Sequence, residues 1–402
     1  MKIVYQVGIY IYGLFIFLAS SFNTKAKKRW LGQRQVFNYL SKNADKSVEY
    51  IWIHASSLGE FEQGRPIIEN LKKSNPESKI LLTFFSPSGY EVRKNYTGAD
   101  LICYLPLDTK NNVRRFFNSV KIQKAIFIKY EFWINFLLAC KKHNIPTFIV
   151  SAIFHKDQAF FKWYGKAYAN VLHVFKTIFV QNEESKQLLQ SIGINTAQVC
   201  GDTRFDRVIE IAEQRKPLPI VEAFKNGKKL IIAGSSWAKD EDLLIEYQQK
   251  YPDIKLLIAP HEIHESHLQE IESKLKKGFV RYSKADENTV SAADCLIIDN
   301  FGLLSSIYQY ADIAYIGGGF GTGIHNVLEA AVYGVPVVWG PNYQRFAEAR
   351  GLIAYGGGFS ISNYTELENI FNSVDKLAGQ KASDFVQRHK GATEMILKEI
   401  SH

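Results

Sequence analysis

Ile313-Ala-Tyr-Ile-Gly-Gly-Gly-Phe-Gly-Thr-Gly-Ile-His-Asn-Val-Leu-Glu-Ala-Ala-Val-Tyr-Gly-Val-Pro-Val-Val-Trp-Gly-Pro341 is the stretch that decides the fold. It predicts a strand, a glycine-rich turn, a helix and a second strand. Ile313 to Ile316 is a short apolar run, the pattern of a strand buried on both faces of a parallel sheet. Five glycines fill the next seven residues: Gly317, Gly318, Gly319, Gly321 and Gly323. They let the backbone turn tightly and lie close to a ligand. A helix is expected from about His325 to Tyr333, with its free N–H groups as a seat for phosphate. Glu329 falls on the face of His325 and Asn326, where a carboxylate can hold ribose hydroxyls. Gly334-Val-Pro336 ends the helix and Val337-Val-Trp339 opens the next strand. The competing reading is an ordinary βαβ crossover whose glycines serve packing alone. The stretch is neither the G-x-G-x-x-G dinucleotide fingerprint nor a P-loop.

Upstream of this unit the same rhythm recurs. Leu230-Ile-Ile-Ala233, Lys255-Leu-Leu-Ile-Ala259 and Cys295-Leu-Ile-Ile-Asp299 read as buried strands separated by helical stretches. In the first half, Val48 to His54, Ile80 to Phe85, Leu101 to Tyr104, Lys124 to Ile128, Thr147 to Val150 and Thr177 to Val180 repeat the pattern. The expected fold is α/β: two doubly wound, Rossmann-like parallel-sheet domains. Charges and two prolines between Gly201 and Pro219 mark a hinge. The expected division is 1–24, an N-terminal anchor; 25–205, a first domain; 206–375, a second domain; and 376–402, a helix packing back on the first domain.

Residues Ile3 to Thr24 contain no charged side chain, and Lys25, Lys27, Lys28, Arg29 and Arg34 follow against Lys2 before. About 20 apolar residues suffice to span a bilayer. The positive-inside rule then puts the body of the protein on the cytoplasmic side. The alternative is a helix lying in the interface, since Gln6, the tyrosines and the glycines weaken a span. The chain of 402 residues carries a net charge of +9, which suits an anionic partner. Four dispersed cysteines, none in a C-x-x-C pair, exclude a disulfide scaffold and give no zinc site. Nucleic acid is disfavoured, because the basic residues gather beside the anchor rather than in a binding motif.

Ligands of an open α/β sheet lie beyond the carboxyl ends of its strands, so the turns there hold the candidate residues. His54-Ala-Ser-Ser-Leu-Gly-Glu60 is one, with Ser57, Gly59 and Glu60. A carboxylate at that position can take a proton from a sugar hydroxyl; it can equally be a dipole-stabilised glutamate of a helix first turn. Glu131 follows the strand that ends at Ile128, as a second acid or an exposed loop charge. Arg204, in Gly201-Asp-Thr-Arg-Phe-Asp206, is a phosphate clamp or a surface ion pair. In the second half, Ser235 and Ser236 cap the following helix or bind phosphate. His261 is placed to contact base or phosphate; with His264 and His267 it lacks the H-E-x-x-H pattern of zinc. Asn300 and Gly302 lie at another strand end, near ribose or base.

Taken together, the apolar N-terminus, Trp52-Ile-His-Ala-Ser-Ser-Leu-Gly-Glu60, Thr83 to Gly89, Glu131-Phe-Trp133, Gln181-Asn-Glu-Glu184, Gly201 to Asp206, Ala233-Gly-Ser-Ser-Trp237, Asp299 to Gly302 and His325-Asn-Val-Leu-Glu329 resemble the Kdo (3-deoxy-D-manno-octulosonic acid) transferases of Gram-negative bacteria. The resemblance implies the GT-B arrangement of two Rossmann-like domains facing a central cleft, the first binding acceptor and the second binding nucleotide-sugar. It implies an inverting transfer of Kdo from CMP-Kdo to a lipid A precursor, lipid IVA, at the cytoplasmic face of the inner membrane, without metal or other cofactor. On that pattern Glu60 is the general base and Glu131 a second acid of the acceptor cleft. Ser57, Gly59, Arg204, Ser235, Ser236, His261, Asn300, Gly302, Gly318, Gly319, Gly321, His325, Asn326 and Glu329 then bind substrate or nucleotide. The chain departs from the family at Pro260-His261, where Arg is usual, at Leu303 in place of Glu, and at Ile134 in place of Pro. The rival readings are a membrane-associated transferase using a UDP-sugar, a UDP-sugar 2-epimerase-like isomerase, and a membrane-tethered nucleotide-binding scaffold.

Overall fold

The computed structural model describes residues 2–275 and 277–401. Met1, Lys276 and His402, the first and last of which fall in the expected anchor and tail, lie outside it. The chain separates into two units, residues 1–207 with 390–402, and residues 208–389. The division falls inside the helix Thr203–Glu213.

Unit 1 is a seven-stranded parallel sheet. Its strands are β1 (Glu49–Ala55), β2 (Lys79–Phe84), β3 (Leu101–Tyr104), β4 (Lys121–Ile128), β5 (Thr147–Ala152), β6 (Thr177–Val180) and β7 (Ala197–Val199), in the order β3-β2-β1-β4-β5-β6-β7. β1, β2 and β4 carry the apolar runs Tyr50-Ile-Trp-Ile53, Ile80-Leu-Leu82 and Ala125-Ile-Phe-Ile128 because helices cover both sheet faces. Trp52, fully buried, packs against Phe116, Phe127 and Phe136 on one face. Ile51, Ile53 and Phe61 build the core of the other. The strand order reverses between β1 and β4, so the turns after these two parallel strands flank a crevice.

Unit 2 repeats the plan. Its strands are β8 (Leu230–Ser236), β9 (Lys255–Pro260), β10 (Phe279–Arg281), β11 (Cys295–Ile297), β12 (Ile313–Ile316), β13 (Val337–Trp339) and β14 (Gly358–Ser360), in the order β10-β11-β9-β8-β12-β13-β14, all parallel. Here the switch point lies between β8 and β12, and the Gly317–Gly323 turn leaves β12 at that point.

Three expectations change. The tail is two helices rather than one. Lys376–Arg388 stays on unit 2, while Ala392–Ser401 packs on the helix Leu58–Ser74 of unit 1. Asp206 caps the returning helix, accepting from Gly391 N–H at 2.6 Å and Thr393 N–H at 2.7 Å. The apolar N-terminus forms the helix Lys2–Ala19, but no helix among the described residues is long and apolar enough to cross a membrane. Instead this helix docks on unit 1 through its polar residues. Tyr5 Oη donates to the buried Asp108 at 2.6 Å, and Gln6 donates to Asn135 at 2.7 Å. Asp108 also accepts from Asn135 N–H and Phe136 N–H at the start of the helix Ile134–Lys142. Third, the helix after the glycine turn is short, Leu328–Ala331. Asn326 accepts from Leu328 N–H at 3.1 Å and so holds the preceding residues out of it.

Candidate functional site

In unit 1 the turns after β1 and β4 bring two carboxylates to the switch point. Glu60 sits in the first turn of the helix Leu58–Ser74, where Ser57 is the N-cap. Its Oε2 accepts from the N–H groups of Ser56 and Ser57, while its own N–H donates to Ser57 Oγ at 3.5 Å. This is a capping box. The structural role considered for Glu60 is therefore real, and the question is what else the carboxylate does. Burial, and then the charge of Glu131, push the Glu60 carboxyl up to about 7, against the pull of Ser56 N–H and Lys129. Gly59 is exposed, and a Cβ there would meet nothing within 4 Å, so packing does not require glycine at this position.

Glu131 is buried rather than an exposed loop charge. Its Oε2 lies 3.0 Å from His54 Nε2 and accepts from Trp133 Nε1 at 2.6 Å. On its other side His54 Nδ1 faces Thr83 O at 3.0 Å and Thr83 Oγ1 at 2.9 Å, and Thr83 Oγ1 accepts from Trp52 Nε1 at 2.8 Å. Strands β1, β2 and the β4 turn are thus tied together by one buried polar chain. No role was read from the sequence for His54, Thr83 or Trp133; the available signal was a histidine and a threonine at the ends of adjacent apolar strands. Lys129, between β4 and Glu131, has φ +62°, and Ser151 at the end of β5 has φ +53°. Left-handed non-glycine residues gather at functional turns.

Two other unit 1 predictions meet different partners. Arg204 Nη2 and Nε lie 2.7 and 2.9 Å from Asp202 Oδ2, so its guanidinium has a carboxylate within the chain. Asp202 is buried and also accepts from Gln63. Arg29, one of the basic residues after the N-terminal helix, is engaged within unit 1. Its guanidinium lies 3.4 Å over the Phe85 ring and donates to Tyr12 Oη at 2.7 Å. The aromatic stretch Phe154 to Phe175 is mostly short 3-10 turns, with Phe160 buried and Trp163 exposed.

In unit 2 the candidate residues converge on the β8 and β12 turns. Ser235 has φ +53° at the end of β8. Ser236 does not cap the next helix: its hydroxyl donates to buried Glu241 at 2.9 Å. Asp240, unpredicted, pins both turns. It accepts from Trp237 N–H at 3.0 Å, Gly318 N–H at 3.0 Å and Tyr315 Oη at 2.7 Å. Gly321 N–H and Gly323 N–H both donate to Gly318 O. The N–H groups of Gly318, Gly321 and Gly323 therefore brace the loop rather than point to a ligand. A Cβ at Gly319 would come within 2.6 Å of Gly340 backbone, so this glycine serves close packing.

Next to the loop, three rings stack. His261 lies 4.8 Å from Trp237 and 4.5 Å from His325 between ring centroids. Trp237 Nε1 donates to His325 Nε2 at 3.3 Å. Burial, then His261, lowers the His325 imidazole to about 4, so this ring is neutral at physiological pH. Asn326 donates to Glu329 at 3.0 Å, which joins the predicted pair. Asn300 and Gly302 lie exposed beyond β11, two strands from β8. His264 and His267 pair with Glu262 and Glu241.

Residues 28–207 match the family profile described as 3-deoxy-D-manno-octulosonic-acid transferase (kdotransferase). The chain is 29% identical over 324 residues to the 3-deoxy-D-manno-octulosonic acid transferase of Aquifex aeolicus (strain VF5), covering 79% of this chain and 83% of that protein. It is 25% identical over 368 residues to the enzyme of the same name from Haemophilus influenzae, covering 86% of this chain and 85% of that one. Among solved structures it is similar to UDP-GlcNAc 2-epimerase from Neisseria meningitidis bound to UDP-GlcNAc, with TM-score 0.62 and 16% identity over 88% of this chain and 99% of that one. A glycosyltransferase from Rickettsia africae ESF-5 gives TM-score 0.57 and 14% identity over 88% and 97%. At these identities the solved structures speak to the fold alone. The profile over residues 28–207 and the relatives matched over most of their length support a Kdo transferase, a glycosyltransferase built from two parallel-sheet α/β units.

Proposed function

We propose that the chain transfers Kdo from CMP-Kdo to a phosphorylated, acylated lipid A precursor, with inversion at the reacting carbon. The observation that carries the reading is the carboxylate pair of unit 1. Glu60, with its carboxyl raised to about 7, is divided between its two forms near neutral pH. A base poised there accepts a hydroxyl proton readily and releases it again. Glu131, held by His54 and Trp133, is fixed in position and does not wander toward the incoming sugar.

In this reading the donor's anomeric carbon becomes cation-like as CMP departs. Glu60 removes the acceptor hydroxyl proton on the face opposite the leaving phosphate, which gives inversion. The nucleotide belongs to unit 2. The ring stack of Trp237, His261 and His325 supports a planar base. Asn326 and Glu329 face ribose. Arg204 enters the reaction only if a phosphate displaces it from Asp202. The N-terminal helix and the Lys25, Lys27 and Lys28 cluster hold the enzyme at the membrane surface that supplies the acceptor.

The test is an incubation of detergent-solubilised full chain with freshly generated CMP-Kdo and tetraacylated lipid A precursor, read by mass spectrometry. A product heavier by one or more Kdo residues supports the reading. CMP release without a Kdo-bearing lipid, or turnover of a UDP-sugar in its place, refutes it.

A further inference from the structure

We propose that the groove between the helices Lys110–Ser119 and Ile134–Lys142 seats an acyl chain of the phosphorylated acceptor. The inference rests on the transferase reading and adds to it a substrate site on unit 1.

The groove encloses about 550 Å³. Val113, Phe117 and Leu138 form an apolar floor, and Lys110, Arg114 and Lys142 stand along its rim. No carboxylate lines it. Among the described residues none of the three rim cations has a carboxylate partner; Arg114 reaches only Asn111 Oδ1, at 3.2 Å. At the far end the His143 ring lies parallel to Phe117, with centroids 5.3 Å apart. Along Ile134 to His143 the floor runs roughly 14 Å at the helical rise, room for a medium-length acyl chain. An apolar trough edged by unpaired cations fits an apolar chain bearing phosphate, while the floor of Val113, Phe117 and Leu138 offers a sugar or a peptide backbone no hydrogen-bonding side chain.

Charge alone would also admit a bilayer phospholipid. Position selects the acceptor. The groove begins at Ile134 and Asn135, directly after the turn that carries Glu131 and Trp133. Tyr5 of the N-terminal helix also lines it and is fixed there by Asp108. That helix exposes Ile3, Val4, Val7 and Ile11. A lipid leaving a membrane against this helix meets the groove mouth beside the carboxylates. Its chain then lies along the trough while a sugar hydroxyl faces Glu60.

The probe for direct binding is dodecyl phosphate below its micelle concentration, titrated calorimetrically into the full chain. Saturable binding is expected for the wild type. It should weaken at least tenfold in the double variant Lys110→Glu/Arg114→Glu and disappear in Leu138→Asp. The first variant changes exposed residues only, so its fold is secure. In parallel, kcat/KM is measured with the acylated acceptor and with its deacylated sugar. Both variants should lose at least tenfold with the acylated acceptor and keep the rate with the deacylated one. Equal binding of dodecyl phosphate by all three proteins overturns the proposal. So does an equal loss with both acceptors. Binding lost with no change toward either acceptor assigns the groove to bilayer phospholipid and overturns it as well. If no acceptor is turned over by any protein, the transferase reading fails, and the calorimetric comparison still reports on the groove by itself.

Discussion

His54 Nε2 and Glu131 Oε2 lie 3.0 Å apart, both side chains closed off from solvent. On its other side His54 Nδ1 lies 2.9 Å from Thr83 Oγ1 and 3.0 Å from Thr83 O, so the ring is held at both nitrogens and Nε2 is kept on the carboxylate. The pair behaves as one unit, and a double-mutant cycle should show it. His54→Ala removes a partner of a buried carboxylate and is expected to cost roughly 3 kcal/mol. Combined with Glu131→Gln, the loss should fall short of the sum of the singles by at least about 1 kcal/mol. Urea unfolding of the four proteins measures this; additive losses would show that the contact is incidental.

Glu60 serves as helix cap and proposed base, and Glu60→Gln separates the two roles. The capping box accepts Gln as well as Glu, so the helix start survives. The proton acceptor does not. Transfer is expected to fall by a factor of about 100 or more, as for loss of a general base, with a melting temperature close to wild type. A variant that keeps its rate removes Glu60 from the chemistry.

The raised Glu60 carboxyl also fixes a pH signature. As a base it works ionised, so kcat/KM should climb with pH through an acid limb near 7 and then level off. Stability runs the other way. Between the ordinary 4.5 and the folded value near 7, the folded chain holds a proton the unfolded chain has lost. Stability therefore falls as pH rises through that window, by up to about 3 kcal/mol. Glu60→Gln should flatten that part of the stability profile. Parallel slopes for both proteins between pH 5 and 7 would contradict the assignment.

Much of this architecture was legible in the chain. Apolar runs such as Ile80 to Phe84 and Ile313 to Ile316 report strands buried on both faces, and turn glycines mark where the sheet opens. The site itself was half legible. Glu60 and Glu131 stand at strand ends, which the pattern shows, but their neighbours come from other strands. Nothing in the sequence says that Thr83 of β2 orients His54 of β1, or that Asp240 ties Trp237 to Gly318. Local chemistry also overrode the pattern where Asn326 shortened the helix expected from His325, and of the two readings of Arg204 the ion pair is present, with Asp202. For the N-terminal helix, hydropathy counted apolar residues without seeing that Tyr5 and Gln6 were committed to Asp108 and Asn135.

The glycines after β12 differ in what they tolerate. At Gly317 a Cβ would run into the backbone of Ser235 and Ser236, and at Gly319 it would lie 2.6 Å from Gly340. Neither neighbour is a flexible side chain. At Gly321 the nearest atom is 3.6 Å away. Gly317→Ala and Gly319→Ala should each cost about 2 kcal/mol or more and weaken CMP binding, while Gly321→Ala stays within about 0.5 kcal/mol. Thermal unfolding and CMP titration of the three variants test the order; a Gly321 variant as damaged as the others would place the ligand, rather than packing, against that glycine.

The N-terminal helix offers the clearest contrast between two modes of membrane attachment. It exposes Ile3, Val4, Val7, Leu14 and Phe15 while Tyr5 and Gln6 bind unit 1. Lys25, Lys27 and Lys28 follow at the exposed start of the next helix. A helix lying on the surface draws on both apolar area and charge, and each lysine near an anionic bilayer contributes about 1 kcal/mol. Replacing the three with Glu should therefore reduce flotation with anionic vesicles by well over tenfold, and high salt should weaken wild-type binding in the same direction. Neutral vesicles should show little difference between the two proteins. A spanning helix predicts the opposite: attachment resistant to salt and to charge reversal, and released by detergent alone.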